Sequence, residues 1–133
     1  MEKEDTGAVQ TSPCWFIDLD WHQQNNRSFL ALAQGCLCPK CQKRFKGKIT
    51  AEGLFKAIKG CCSKTPGFIN GRLPVLESIF RLFLANGNQP LELEELGKQL
   101  SEWRDGDTYR TSEEILSRLL LSDQYYGLRQ ISE

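Results

Sequence analysis

The sequence predicts an α+β chain, mostly helical, in which a small cysteine-rich metal-binding module precedes a three-helix unit with short β elements. Three observations predict it. Five of the six cysteines fall between Cys36 and Cys62. Three apolar stripes at helical spacing follow between Pro74 and Leu121. Short runs rich in aromatic and branched residues, near Cys14 and near Tyr125, have the texture of strands.

The chain has 133 residues, enough for one ordinary domain or two small ones. Its formal net charge is zero, so no global field draws it to nucleic acid or to a membrane. Even the longest apolar stretches are short, Leu119-Leu120-Leu121 among them, which excludes a transmembrane helix. Met1-Glu2-Lys3-Glu4-Asp5 is charged, with no apolar region behind it, and does not read as a secretory signal. The expected location is cytoplasmic. In that reducing compartment clustered cysteines read as metal ligands rather than as disulfides.

Residues 1–12 are polar and without apolar period, and read as a disordered tail. Trp15, Ile17 and Leu19 alternate, which predicts a short strand over Cys14–Asp20. Asn25-Asn26 offers an N-cap for a helix over Arg27–Gln34, with Gly35 as its stop. Lys46-Gly47-Lys48 looks like a turn. Thr50 caps a helix over Ala51–Lys59 whose inward stripe is Leu54, Phe55 and Ile58, and Gly60 ends it. Thr65-Pro66-Gly67 and Asn70-Gly71 punctuate the chain, so the cysteine module is expected to span residues 13–68 and the second unit 69–133.

In the second unit Pro74 opens a helix to Ala85, with Leu76, Ile79, Phe80, Phe83 and Leu84 inward. Asn86-Gly87 closes it. Pro90-Leu91 leads into a helix over Glu92–Trp103 carrying Leu93, Leu96 and Leu100. Arg104 to Asp107 reads as a loop. Thr111 or Ser112 caps a third helix, with Glu113 and Glu114 where the helix dipole favours acids, and Ile115, Leu116, Leu119 and Leu120 buried. Tyr125 to Ile131 reads as a final strand. There is no internal repeat.

The chemistry concentrates on the cysteines. Zinc takes four ligands in a tetrahedron, and thiolates near 2.3 Å suit it. Cys38-Pro39-Lys40-Cys41 sets two sulfurs on one tight turn. Pro39 stiffens that turn, and the Lys40 and Gln42 amides are placed to donate to sulfur. Cys61-Cys62 returns about twenty residues later, a normal interval for such a site. Cys36 is a fifth candidate, and one ion needs only four of Cys36, Cys38, Cys41, Cys61 and Cys62. Cys36-x-Cys38-x2-Cys41 with a remote cysteine also suits an iron–sulfur cluster. The module is similar to a zinc knuckle or zinc ribbon. Cys14 reads as a packed strand thiol, and His22 as a surface or hydrogen-bonded residue.

Charge is uneven. Residues 1–70 carry ten Lys/Arg against six Asp/Glu, and residues 71–133 carry seven against eleven. From Lys40 to Lys64 there are eight basic residues and a single acid, Glu52. A four-thiolate zinc centre carries a net −2, which nearby lysines offset. The alternative reading of the same lysines is a phosphate-binding surface around the knuckle.

Pro90-Leu91-Glu92-Leu93-Glu94-Glu95-Leu96-Gly97-Lys98-Gln99-Leu100 resembles the second helix of winged helix-turn-helix domains. The resemblance covers about residues 73–132, and Gly97 stands where a small residue lets helices cross closely. It implies a DNA-binding or protein-docking module. Ser101 to Arg110 is longer than the turn of a simple helix-turn-helix, and the third helix begins acidic, which opposes a phosphate backbone. Nucleic-acid contacts are therefore expected from Lys40, Lys43, Arg44, Lys46 and Lys48, supported by Arg110, Arg118 and Arg129.

Asp18 and Asp20, on a strand, would share a face and could act on a metal or a proton. Solvated strand residues or helix-capping partners are the favoured reading of the pair. No nucleophile elbow, phosphate loop or H-E-x-x-H is present, so no enzyme is expected. The expected function is a small zinc-binding nucleic-acid-binding protein, a transcriptional regulator or accessory factor with DNA as its favoured target. The alternatives are a protein-interaction adaptor with structural zinc and an iron–sulfur redox sensor.

Overall fold

Strand β1 (Cys14–Ile17) opens the structure, a computed structural model that describes residues 13–45, 49–104, 106 and 110–131. Trp15 and Ile17 are buried, as their alternation predicts, while Leu19 stands out in solvent. The strand is shorter than expected because Asp18 ends it. Its carboxylate accepts from the amides of Asp20 at 3.0 Å and Trp21 at 3.3 Å, and so caps a helix, α1 (Leu19–Gln24). That cap satisfies amides that would otherwise lack partners, a contribution of about 1 kcal/mol. Asp18 and Asp20 are thus helix-start residues and do not form a carboxylate pair on one strand face.

Asn26, at a φ of 56°, turns the chain, and Ser28 rather than Asn25 or Asn26 caps α2 (Phe29–Gln34). Helix α3 (Pro39–Phe45) replaces the tight turn expected at the first cysteine pair. Thr50 caps α4 (Ala51–Gly60) as its position predicts, accepting from the Gly53 amide. Leu54 and Ile58 of α4 are fully buried.

The helices of the second half follow their apolar periods within a residue or two, while the final strand is confined to Leu128–Gln130 of the expected Tyr125–Ile131. It contains α5 (Val75–Ala85), β2 (Leu91–Glu92), α6 (Leu93–Trp103), α7 (Glu113–Ser122) and β3 (Leu128–Gln130). Ser112 caps α7 through the Ile115 amide. Gly97 of α6 lies against the chain entering α7: a Cβ there would stand 2.7 Å from the Thr111 carbonyl oxygen. Gly127, at a φ of 75°, admits the chain to β3. The disordered tail expected at residues 1–12 and the turn at Lys46-Gly47-Lys48 lie outside the described residues.

The three strands form one antiparallel sheet in the order β2-β1-β3. Trp15 pairs with Leu91 on one side and with Gln130 on the other. The central strand of a sheet whose edges come from the C-terminal half is thus supplied by the N-terminal half. The core is equally shared. Phe29 of α2 stacks on Phe55 of α4 at 5.6 Å and meets Phe80 of α5 edge-on at 6.1 Å, and Phe80 packs on Tyr126 at 5.1 Å. Such offset and edge-on ring pairs favour a fixed arrangement beyond the area they bury.

Two buried charged residues fasten loops to this core. Arg104, at the end of α6, donates to the carbonyls of Asn70, Gly71 and Leu73 and to Ser78 Oγ. It ties the 70–73 connection to α5. Asp123 accepts from the amides of Tyr125, Tyr126 and Leu128 and shapes the turn into β3.

Candidate metal centre

Two chain segments bring four thiols together. Cys38 immediately precedes α3 and Cys41 lies in its first turn, so both sulfurs face the same side. Helix α4 runs back along them and stops at Gly60. Cys61 then leaves helical geometry, with φ −134° and ψ −63°, and Cys62 starts a short 3-10 turn over Cys62–Lys64. This break lets two adjacent residues turn their sulfurs toward the same point.

The Sγ atoms of Cys38, Cys41 and Cys62 lie within 4.8 Å of one another, close enough to hold a metal ion. Cys38 Sγ is 3.5 Å from Cys62 Sγ and 3.8 Å from Cys61 Sγ. Thiolates about 2.3 Å from a tetrahedral ion stand about 3.8 Å apart, by the geometry of a tetrahedron. The two separations from Cys38 Sγ are close to that spacing. Cys41 and Cys62 are buried, while Cys61 is half-buried and forms the open side.

Backbone amides also point at the sulfurs, though not the two expected from the sequence. Cys38 donates its N–H to Cys62 Sγ at 3.2 Å, and the Gln42 amide goes to the Cys38 carbonyl as an ordinary helical bond. The Cys41 N–H, at the start of α3, points to Cys38 sulfur and draws that thiol down to about 7. Burial pushes Cys41 up to about 12 and Cys62 upward as well. Without a cation, these shifts favour ionisation at Cys38 over Cys41 and Cys62. A divalent ion reverses that balance, since it stabilises every thiolate it binds.

Cys36 stands apart from this group. It is buried beside Arg81 and Glu77, and burial lifts its thiol to about 11. Among the five clustered cysteines it is the one outside the group of neighbouring sulfurs, a distinction that spacing alone did not make. Cys14 sits half-buried in β1.

Lys40, Lys43 and Arg44 are exposed on α3, and Lys56 and Lys59 on α4. Lys43 and Arg44 occupy the last turn of α3, where the helix dipole favours cations. Arg44 and Lys56 line a cleft of about 420 Å³ together with Cys41, Phe45 and Cys61. Arg44 lies over the Phe45 ring at 5.4 Å. Lys46 and Lys48 lie outside the described residues. Of the arginines expected to support nucleic-acid contact, Arg110 is exposed and Arg118 is exposed 3.8 Å from Glu114. Arg129 is more committed: it donates to the Asp123 and Leu128 carbonyls and lies 4.8 Å over the Trp21 ring.

His22, expected at the surface or in a hydrogen bond, is 1% exposed and bonds the Tyr126 carbonyl through Nε2 at 2.8 Å. No family model, no curated protein and no solved structure matches the chain.

Proposed function

We propose that the chain is a zinc-stapled nucleic-acid-binding protein whose phosphate contacts come from the basic surface beside the thiol centre. The observation that carries this reading is the shared cleft. Arg44 and Lys56 come from two helices that line one cleft with Cys41 and Cys61, so the thiols and the charge pattern share one piece of structure. Clustered cations around a groove attract phosphates and release counterions.

Zinc is the favoured ion. The 3.5 Å and 3.8 Å sulfur separations suit thiolates on one centre. A cluster divides its thiolates among several irons and would hold them farther apart. Cys38, Cys41, Cys61 and Cys62 are the proposed ligands. The order α5, β2, α6, α7 and β3 supports the winged-helix likeness of the second half. Glu113 and Glu114 at the exposed start of α7 disfavour that helix as the reader of DNA. A transcriptional regulator or accessory factor is the reading that joins the two halves.

The test is binding of the zinc-loaded chain to mixed-sequence duplex DNA and to RNA across a salt series. A steep fall in affinity with salt is expected, and substituting Lys43, Arg44 and Lys56 together with alanine should flatten it. Absence of binding at low salt overturns the reading and leaves a protein-docking adaptor, with the exposed Leu121 and the acidic start of α7 as its surface.

A further inference from the structure

A second concave site lies away from the thiols, between the α1–α2 connection and the turn into β3. It is a pocket of about 510 Å³, lined by His22, Asn26, Arg27, Ser28, Leu32 and Tyr125 among others. That volume is within the range of small-ligand sites. Three features define what it would take.

The first is His22. The Tyr126 carbonyl can only accept, so Nε2 carries the proton of the neutral ring. Burial lowers the pKa of His22 and keeps the ring neutral. Nδ1 is then an acceptor, and it is buried without a hydrogen-bond partner. A buried polar atom in that state is uncommon and asks for a donor. Gly127 sits against the other edge of the ring: a Cβ there would stand 2.6 Å from Nε2 and 2.8 Å from Cδ2. The Nδ1 edge is thus the one turned from Gly127, and His22 is among the residues that line the pocket.

The second is Arg27, whose guanidinium lies 5.4 Å over the Tyr125 ring and 5.9 Å over the Trp21 ring. The two rings hold a cation on the pocket wall. The third is Tyr125 itself, 51% exposed and braced edge-on by Tyr126 at 4.9 Å. A fixed, exposed ring is a stacking platform.

A donor for His22, a cation for an anion and a ring for a planar face match one chemistry. We propose that this pocket binds a nucleotide, with its base on Tyr125, a base N–H donated to His22 Nδ1 and its phosphate on Arg27. The site does not depend on the basic surface of α3 and α4, so each can fail without the other. Its ligand is either a free mononucleotide or one residue of a single strand.

His22 is the only histidine in the chain, which gives an unambiguous probe. The zinc-loaded full chain with nitrogen-15 histidine is titrated with uridine monophosphate, whose base offers N3–H, and with a short single-stranded oligouridylate. Binding should move the Nδ1 signal more than the Nε2 signal. By calorimetry Tyr125→Ala should weaken binding about tenfold, while Tyr125→Phe stays within twofold. Equal affinity for the two probes identifies a free nucleotide as the ligand, and much tighter oligouridylate binding identifies a strand. No binding of either probe, an unmoved Nδ1 signal at saturation, or indifference to Tyr125→Ala overturns the proposal. Oligouridylate binding that disappears on removing Lys43, Arg44 and Lys56 but ignores Tyr125→Ala overturns the pocket and leaves the basic surface standing.

Discussion

The side chain of Asn88 acts as a strand partner for Ile17. Its Oδ1 accepts from the Ile17 amide at 2.8 Å and its Nδ2 donates to the Ile17 carbonyl at 2.9 Å. Strand β2 begins at Leu91 and is preceded by Pro90, which has no amide hydrogen for the ladder. The Asn88 amide takes over where the backbone stops. Asn88 reaches this place because α5 closes with Gly87 at φ 75°, and the Asn88 amide bonds back to the Phe83 carbonyl at 2.7 Å. Asn88 itself has φ 63°, a conformation that asparagine tolerates better than most residues.

Replacing Asn88 should therefore loosen β1 at its inner end. Asn88→Gly keeps the backbone conformation and removes both hydrogen bonds. We expect it to lower stability by about 1–3 kcal/mol, read as the urea midpoint of the zinc-loaded chain. Asn88→Ala adds backbone strain and should cost more. Equal midpoints for Asn88→Gly and the parent would mean that water replaces the side chain without loss.

Gly97→Ala tests the crossing of α6 with the entry to α7. Alanine is the better helix former by about 1 kcal/mol. Its Cβ, however, would press on the Thr111 carbonyl oxygen at 2.7 Å and on Leu116 Cδ1 at 3.3 Å. Backbone cannot move aside cheaply, and overpacking of this kind costs about 1–3 kcal/mol. Net destabilisation is expected on thermal unfolding, and a raised melting temperature would contradict the close approach.

The five clustered cysteines should divide four to one. Cys36→Ala is expected to retain one equivalent of zinc after dialysis against a weak chelator. Serine at Cys38, Cys41, Cys61 or Cys62 should lose it, since a hydroxyl is a poor substitute for a thiolate. Elemental analysis of each purified variant decides the matter. Loss of metal from Cys36→Ala alone would place the ligand set elsewhere.

His22 makes stability depend on pH in a definite direction. Burial holds its folded pKa below the ordinary value of 6.5. Below 6.5 the unfolded chain takes up a proton that the folded ring resists. The contribution is complete above pH 6.5 and is lost as pH falls through the folded value. His22→Gln should remove that part of the fall in urea midpoint between pH 7.5 and pH 5.5. An unchanged difference would assign the fall to other groups, the thiols first among them.

Local chemistry was legible where one residue sufficed. Thr50 as a cap, a cap at Thr111 or Ser112, the α4, α5 and α6 stripes, and the turn at Gly87 all follow from residue type and spacing, because capping and helical periodicity act within a few residues. Helix α1 was hidden because Leu19 continues the alternation of Trp15 and Ile17. The competing signal, Asp18 as a cap, becomes decisive only once its carboxylate is seen to bond two amides. Helix α3 was hidden because a C-x2-C pair reads equally as a turn.

The sequence by itself determined the composition of the candidate centre: cysteines at two places, a basic run around them and helices to carry them. Tertiary structure decided which thiols meet. Cys36 and Cys38 are two residues apart, yet α4 returns to Cys38 and leaves Cys36 buried beside Arg81. Only the fold could place Arg104 on the carbonyls of residues 70–73, pair β1 with strands more than seventy residues away, or set Asn88 against Ile17. Each of these joins groups distant in sequence, and their partners exist only after the chain has closed its loops.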